Sequence, residues 1–116
     1  MNDDKLYLIH ILERIARIED YVKGGEDVFL NTDLIQDAVL RNLQTLAEST
    51  QRLSDGIRQV HNEVDWRRIA GFRNILVHDY LGVDLPYVWQ IVDSELGELK
   101  SAVQKMLADL DAAGAA

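Results

Sequence analysis

Asp65-Trp66-Arg67-Arg68-Ile69-Ala70-Gly71-Phe72-Arg73-Asn74-Ile75-Leu76-Val77-His78-Asp79-Tyr80 is the stretch on which the reading of this chain turns. Trp66, Ile69, Ala70, Arg73, Val77 and Tyr80 recur at helical spacing, with Phe72 and Leu76 beside them, so the segment from about Asp65 reads as an amphipathic helix. Gly82 is its natural terminator. Towards its end the apolar run is interrupted by a guanidinium, an amide and an imidazole. Asn74 and His78 are four positions apart and share a face. Arg73 and Tyr80, seven apart, also share one. Arg73 and His78 are five apart, which an ideal helix sets at about 140°. A long arginine can wrap part of that gap. A local widening of the helix, or a second chain, can close the rest.

The flanking sequence repeats the helical period. Between Lys5 and Lys23, residues Leu8, Ile11, Leu12, Ile15, Ile18 and Val22 form one apolar stripe, stopped by Gly24-Gly25. Glu26 to Asn31 reads as a connector, with Val28, Phe29 and Leu30 tucked against the core. A second helix starts near Asn31-Thr32-Asp33 and carries Leu34, Ile35, Ala38, Val39, Leu43, Leu46 and Leu53. Asp33 followed by Gln36 has the pattern of a capping box. Ser54-Asp55-Gly56 breaks the pattern, and a short helical piece from about Ile57 to His61 follows. After Gly82, Asp84 can cap a fourth helix with Pro86 in its first turn, running to about Leu110 through Val88, Val92, Leu96, Leu99, Val103 and Met106. The tail Ala112 to Ala116 is expected to fray. Four amphipathic helices with short connections predict an all-α fold, an antiparallel up-and-down four-helix bundle with a short additional helix. The 116 residues make a single domain, with its core over about residues 5–111.

Composition narrows the chemistry. The chain has no cysteine, which excludes disulfides and thiolate-rich metal sites. Met1-Asn2-Asp3-Asp4-Lys5 lacks the basic start and apolar run of a signal peptide, and no stretch approaches membrane-spanning length. A cytoplasmic location is the default expectation. The formal net charge is −8, from 20 acids and 12 bases, which weighs against a nucleic-acid binder. Its distribution is uneven. Residues 52–78 hold three acids and five arginines, namely Arg52, Arg58, Arg67, Arg68 and Arg73. That is either the ordinary scatter of surface arginine or a focused cationic cleft on an acidic body.

Of the three histidines, His10 and His61 read as surface or structural residues. No His-Glu-x-x-His or comparable ligand cluster occurs, so neither a metal nor a cofactor is expected. His78 differs by its company. Imidazole titrates near neutrality and serves as general base or acid. A guanidinium clamps phosphate and stabilises the charge of a pentacoordinate transition state. An amide orients either group. Arg73, Asn74 and His78 are thus either a set able to cleave RNA without metal or, as in many proteins, an arginine and a helix-end histidine that merely satisfies carbonyls. Arg41 and Glu48, seven apart on the second helix, either support a cleft or form an ordinary surface pair. Trp66 and Trp89 are packing anchors. Gly71, within a helix where glycine costs roughly 1 kcal/mol relative to alanine, suggests close approach of another backbone or a phosphate.

Arg73-x4-His78-x-Tyr80 resembles the Arg-x4-His-x-Tyr signature of HepT-like proteins of the HEPN superfamily. Asp37-Ala38-Val39-Leu40-Arg41-Asn42-Leu43 with Glu48, the signature helix from Trp66 to Tyr80, Gly82-Val83-Asp84-Leu85 and Val88-Trp89 extend the likeness over about Asp33 to Lys100. Ala47 stands where that family often has glycine. The resemblance implies a HEPN-like bundle pairing as a homodimer, with two motifs facing one cleft. It implies a toxin that cleaves RNA, such as tRNA or mRNA, by attack of a ribose 2′-hydroxyl on the adjacent phosphate. Arg73, Asn74 and His78 would be catalytic, and Arg41, Glu48, Arg67 and Arg68 would contact RNA or support the cleft. It implies a MntA-type nucleotidyltransferase antitoxin that attaches AMP to Tyr80. The alternative is a non-catalytic HEPN module holding a nucleotide or substrate for a nucleotidyltransferase partner.

Overall fold

Complete burial of one helical stripe organises the molecule. In the computed structural model, which describes residues 3–79 and 82–115, Leu8, Ile11, Ile15 and Ile18 have no solvent exposure. They lie on α1 (Asp4–Tyr21), whose partner across the core is α3 (Asp33–Gln51). From α3, Val39, Leu40, Leu43 and Leu46 complete the contact. Burial of such side chains contributes roughly 1.5–3 kcal/mol each, and these residues lie in the centre of one continuous apolar cluster. No strand occurs among the described residues.

The glycine stop after α1 is a specific backbone device. Gly25 has φ 96° and ψ −178°, a conformation open in practice only to glycine. It lets the chain reverse into α2 (Glu26–Leu30). The expected connector is therefore helical. Of its three apolar residues Phe29 is buried and stacks on Trp89 at 5.7 Å, Leu30 is half-buried, and Val28 stands in solvent. The Asp33–Gln36 capping box does not form. Thr32 is the residue before α3, and no side chain caps it. The Gln36 amide donates instead to the Phe29 carbonyl at 2.9 Å, which also accepts the Thr32 N–H at the end of α2.

Beyond α3, Leu53 is buried in the turn and Ser54 caps α4 (Asp55–Val60). A carboxylate from the far end of the chain fixes that turn. Asp4 accepts the Ser54 amide at 2.8 Å and the Ser54 hydroxyl at 2.6 Å. The Trp66 indole N–H is shared between the Arg58 and His61 carbonyls, both at 3.1 Å, and pins the start of α5 (Trp66–His78). His61 itself is buried, between Glu63 at 3.6 Å and Asp109 at 3.8 Å, which makes it a tie between this connection and the last helix.

Asp84 caps α6 (Leu85–Gln90) by accepting the Tyr87 amide, with Pro86 in the first turn. The helix then continues without a break through a π-helical segment (Ile91–Glu95) into α7 (Leu96–Ala115), past the Leu110 limit expected from the apolar pattern. At 1.5 Å per residue the whole unit is about 46 Å long, which accounts for the 50 Å long axis of the molecule. The four long helices are α1, α3, α5 and the α6–α7 unit. α3 packs between α1 and α5, and α7 packs on α1, but α5 and α7 scarcely meet. The bundle is open along that seam.

Asp4→Ala should lower stability by about 2 kcal/mol in urea unfolding, since it removes two hydrogen bonds to a buried carboxylate. The neighbouring exposed Asp3→Ala should change it by less than about 0.5 kcal/mol. Equal effects of the two would refute the assigned role of Asp4.

Candidate active site

Helix α5 is held on one face. Leu76 is buried, Trp66, Ile69, Ala70, Phe72 and Arg73 are partly buried, and the remaining residues of the helix are exposed. The apolar edge therefore runs through Leu76, Phe72 and Ile69. Val77, expected on it, is 38% exposed. This rotation sends Asn74 and His78 out to solvent on one side and places Arg73, half-buried, on another.

The arginine reaches the adjacent amide. Arg73 Nη1 donates to Asn74 Oδ1 at 3.3 Å. Arg73 Nε is enclosed and has no hydrogen-bond partner among the described residues, which is rare for a buried polar atom. His78 occupies the last turn of α5, where the terminal carbonyls carry partial negative charge. Among the described residues no hydrogen bond joins His78 to Arg73 or Asn74. The fold thus brings the guanidinium and the amide together and places the imidazole one turn beyond Asn74. Tyr80 lies outside the described residues. After it, the Gly82 amide donates to the Asp79 carbonyl at 3.1 Å, and the Asp79 carboxylate lies against Gly82, where a Cβ would sit 2.6 Å from Oδ1.

The other arginines of residues 52–78 divide. Arg58 pairs with Asp55 at 2.7 Å. Arg68 forms a two-pronged pair with Glu95, one arm at 3.0 Å, and lies 3.5 Å from the Tyr87 hydroxyl. The Tyr87 hydroxyl and the Glu95 carboxylate push its pKa up, so it remains a fixed cation with its charge balanced locally. Arg67 and Arg52 are exposed. The expected cationic cleft is therefore thinner than composition implied. Arg41 is exposed on α3, and Glu48 is half-buried, accepting from Gln44 at 3.3 Å.

The main groove, about 340 Å³, is the open seam itself. Leu43, Leu46, Phe72, Leu96 and Leu99 line its floor, with Glu63, Asp65 and Glu98 among its polar lining. Arg68, Tyr87 and Glu95 bridge it, and the Phe72 and Tyr87 rings meet edge-on at 6.3 Å. Nothing in the sequence pattern had marked it. Arg73, Asn74 and His78 are not part of its lining. Among the described residues no group of three or more His, Asp or Glu is placed to hold a metal ion, and no helix is long and apolar enough to cross a membrane.

The family described as Ribonuclease HepT-like matches residues 11–106. The "Gamma-glutamylcyclotransferase and putative RNase MJ0434" of Methanocaldococcus jannaschii is 38% identical over 110 residues, 94% of this chain and 50% of that protein. The chain therefore spans half the length of that relative. The "Putative RNase TTE0752" of Caldanaerobacter subterraneus is 32% identical over 92% of this chain and 96% of its own length. The "Probable ribonuclease HepT" of Thermococcus cleftensis is 34% identical over 88% of this chain and 94% of its own. No solved structure gives a significant match.

Gly82→Ala should destabilise by no more than about 0.5 kcal/mol, since the exposed Asp79 carboxylate can turn away from the new methyl group. In an Asp79→Ala background the same change should be close to neutral. Additive effects in that double-mutant cycle would show that the two residues are not in contact.

Proposed function

Because this chain belongs to the Ribonuclease HepT-like family, we propose that it is a metal-independent endoribonuclease, the toxin of a toxin–antitoxin pair, with Arg73, Asn74 and His78 as its catalytic set. The observation that carries this reading is the Arg73–Asn74 contact at 3.3 Å beside an exposed His78 on the same helix end. The His78 imidazole takes the proton of a ribose 2′-hydroxyl. The 2′-oxygen attacks the adjacent phosphorus, the bond to the 5′-oxygen breaks, and that oxygen leaves with a proton from water or from a second imidazole. The products are a 2′,3′-cyclic phosphate and a 5′-hydroxyl. Arg73 stabilises the negative charge that builds on the phosphoryl oxygens. Asn74, accepting from Arg73, holds the guanidinium in place. DNA lacks the attacking hydroxyl and is not a substrate.

The working unit is a homodimer. Ile75 is 47% exposed and Val77 38%. These apolar shoulders flank the polar face of α5 and suit a second copy, whose site would face the same cleft. A nucleotidyltransferase antitoxin of the MntA type adds AMP to Tyr80, two residues after His78. The phosphodiester would bring negative charge beside the cations that RNA needs. Support for this step is the spacing of the motif.

Purified wild type should leave cyclic phosphate ends on RNA in the presence of a chelator. His78→Ala and Arg73→Ala should each lower kcat by about 10²–10⁴-fold. Growth arrest in cells should follow cleavage. Equal RNA ends from wild type and His78→Ala would defeat the catalytic claim and favour a binding module. Incubation with the partner and ATP should add adenylyl mass to wild type and none to Tyr80→Phe; an unchanged gain in that variant would remove the regulatory role.

A further inference from the structure

The outward face of α5 carries more than its last turn. Arg67, Gly71, Asn74 and His78 are all exposed, and steps of four, three and four keep them within about 60° of arc. They form one polar line ~16 Å long. Gly71 is the anomaly in it. A Cβ built there would meet nothing within 4 Å, so no neighbour in this chain requires a glycine. Its φ is not positive either. A residue that lowers helix propensity in mid-helix, with no internal cause, points to something approaching from outside.

The two neighbouring arginines identify what approaches. Arg68 is engaged by Glu95. For Arg67, among the described residues, no carboxylate lies within ion-pairing distance. A second copy pressed onto this line would have to bring a carboxylate to Arg67 or bury it unpaired at a high desolvation cost. A phosphate backbone would satisfy it. The exposed apolar side chains Ile75 and Val77 lie to either side of the line, not within it.

We propose that the RNA strand lies along α5, with one phosphate against the bare helix backbone at Gly71 and another held by Arg67, so that these two residues set how many nucleotides the enzyme engages beyond the scissile bond. This rests on the ribonuclease reading, and its test is separable from it. The probe is a single-stranded 2′-O-methyl oligonucleotide long enough to cover the line, which binds but cannot be cleaved, alongside a cleavable RNA of the same sequence and a ribodinucleotide. Arg67→Gln should weaken oligonucleotide binding and reduce the slope of log affinity against log salt by about 0.7. Arg17→Gln, an exposed arginine on α1, should leave the slope unchanged. Gly71→Ala should give a more heat-stable protein that binds the oligonucleotide several-fold more weakly, a combination that a merely structural glycine would not produce. Gly71→Leu should deepen the loss without altering the mass of the particle in light scattering. All three α5 variants should lose more activity on the cleavable long RNA than on the ribodinucleotide.

Unchanged binding and salt slope in Arg67→Gln would overturn the proposal. So would a loss of the dimer in Gly71→Leu, which would make Gly71 a contact between chains. Cleavage of RNA by the wild type with variants indifferent would sink the track alone. Oligonucleotide binding that depends on Arg67 and Gly71, without any RNA cleavage by the wild type, would support the track and sink the ribonuclease reading.

Discussion

One-sided packing of α5 is the constraint from which the functional surface follows. Leu76, Phe72 and Ile69 attach the helix to α3, while among the described residues its other side meets the fourth helix through the Arg68–Glu95–Tyr87 bridge and the edge-on contact of Phe72 with Tyr87. A helix buried all round would have its polar residues eliminated or paired. A helix attached along one edge leaves a broad outward arc, and on that arc a charged or titratable side chain keeps its water. The pairing at the seam is exposed enough to contribute little to stability. Its value is geometric, since it stops α5 from rolling into the open groove and burying the face that carries Asn74 and His78.

Much of this was legible before any coordinates. The stripe of α1, the glycine stop, the Ser54 break, the Asp84 cap and the four-helix count follow from a period of 3.6 and from capping chemistry, which are local rules. The end of α5 is less local. Gly82 marked the exit, but regular helix stops at His78, where the Asp79 N–H closes the last bond on Ile75. On α5 the expected stripe holds at Trp66, Ile69, Ala70 and Arg73, which are partly buried, and fails at Val77, because the position of α3 gives the deepest place to Leu76.

The π-helical segment left a trace in the sequence. Val88, Val92 and Leu96 are separated by two successive steps of four, each advancing about 40° past a full turn of an ideal helix. All three are buried on one side, so the drift has to be absorbed. The wide turn does this, with the Leu96 amide reaching back five residues to the Ile91 carbonyl. It also re-aims Glu95 so that it meets Arg68 across the seam. The groove, by contrast, is an absence of packing between helices far apart in the chain, and no period or cap encodes an absence.

Charge gives the last constraint. A body with a net charge of −8 repels polyanions, and two of the arginines that made residues 52–78 look basic are neutralised by Asp55 and Glu95. What remains outward on α5 is a single line of Arg67, Asn74 and His78 beside the bare backbone at Gly71, not a basic patch. On the proposed function such a surface would hold duplex or bulk RNA weakly, because few counterions are released on binding. A strand lying flat against the helix, as proposed, would reach these groups together. On the same reading the economy of cations would restrain non-specific binding and make the site sensitive to one added negative group, since so little positive charge has to be cancelled.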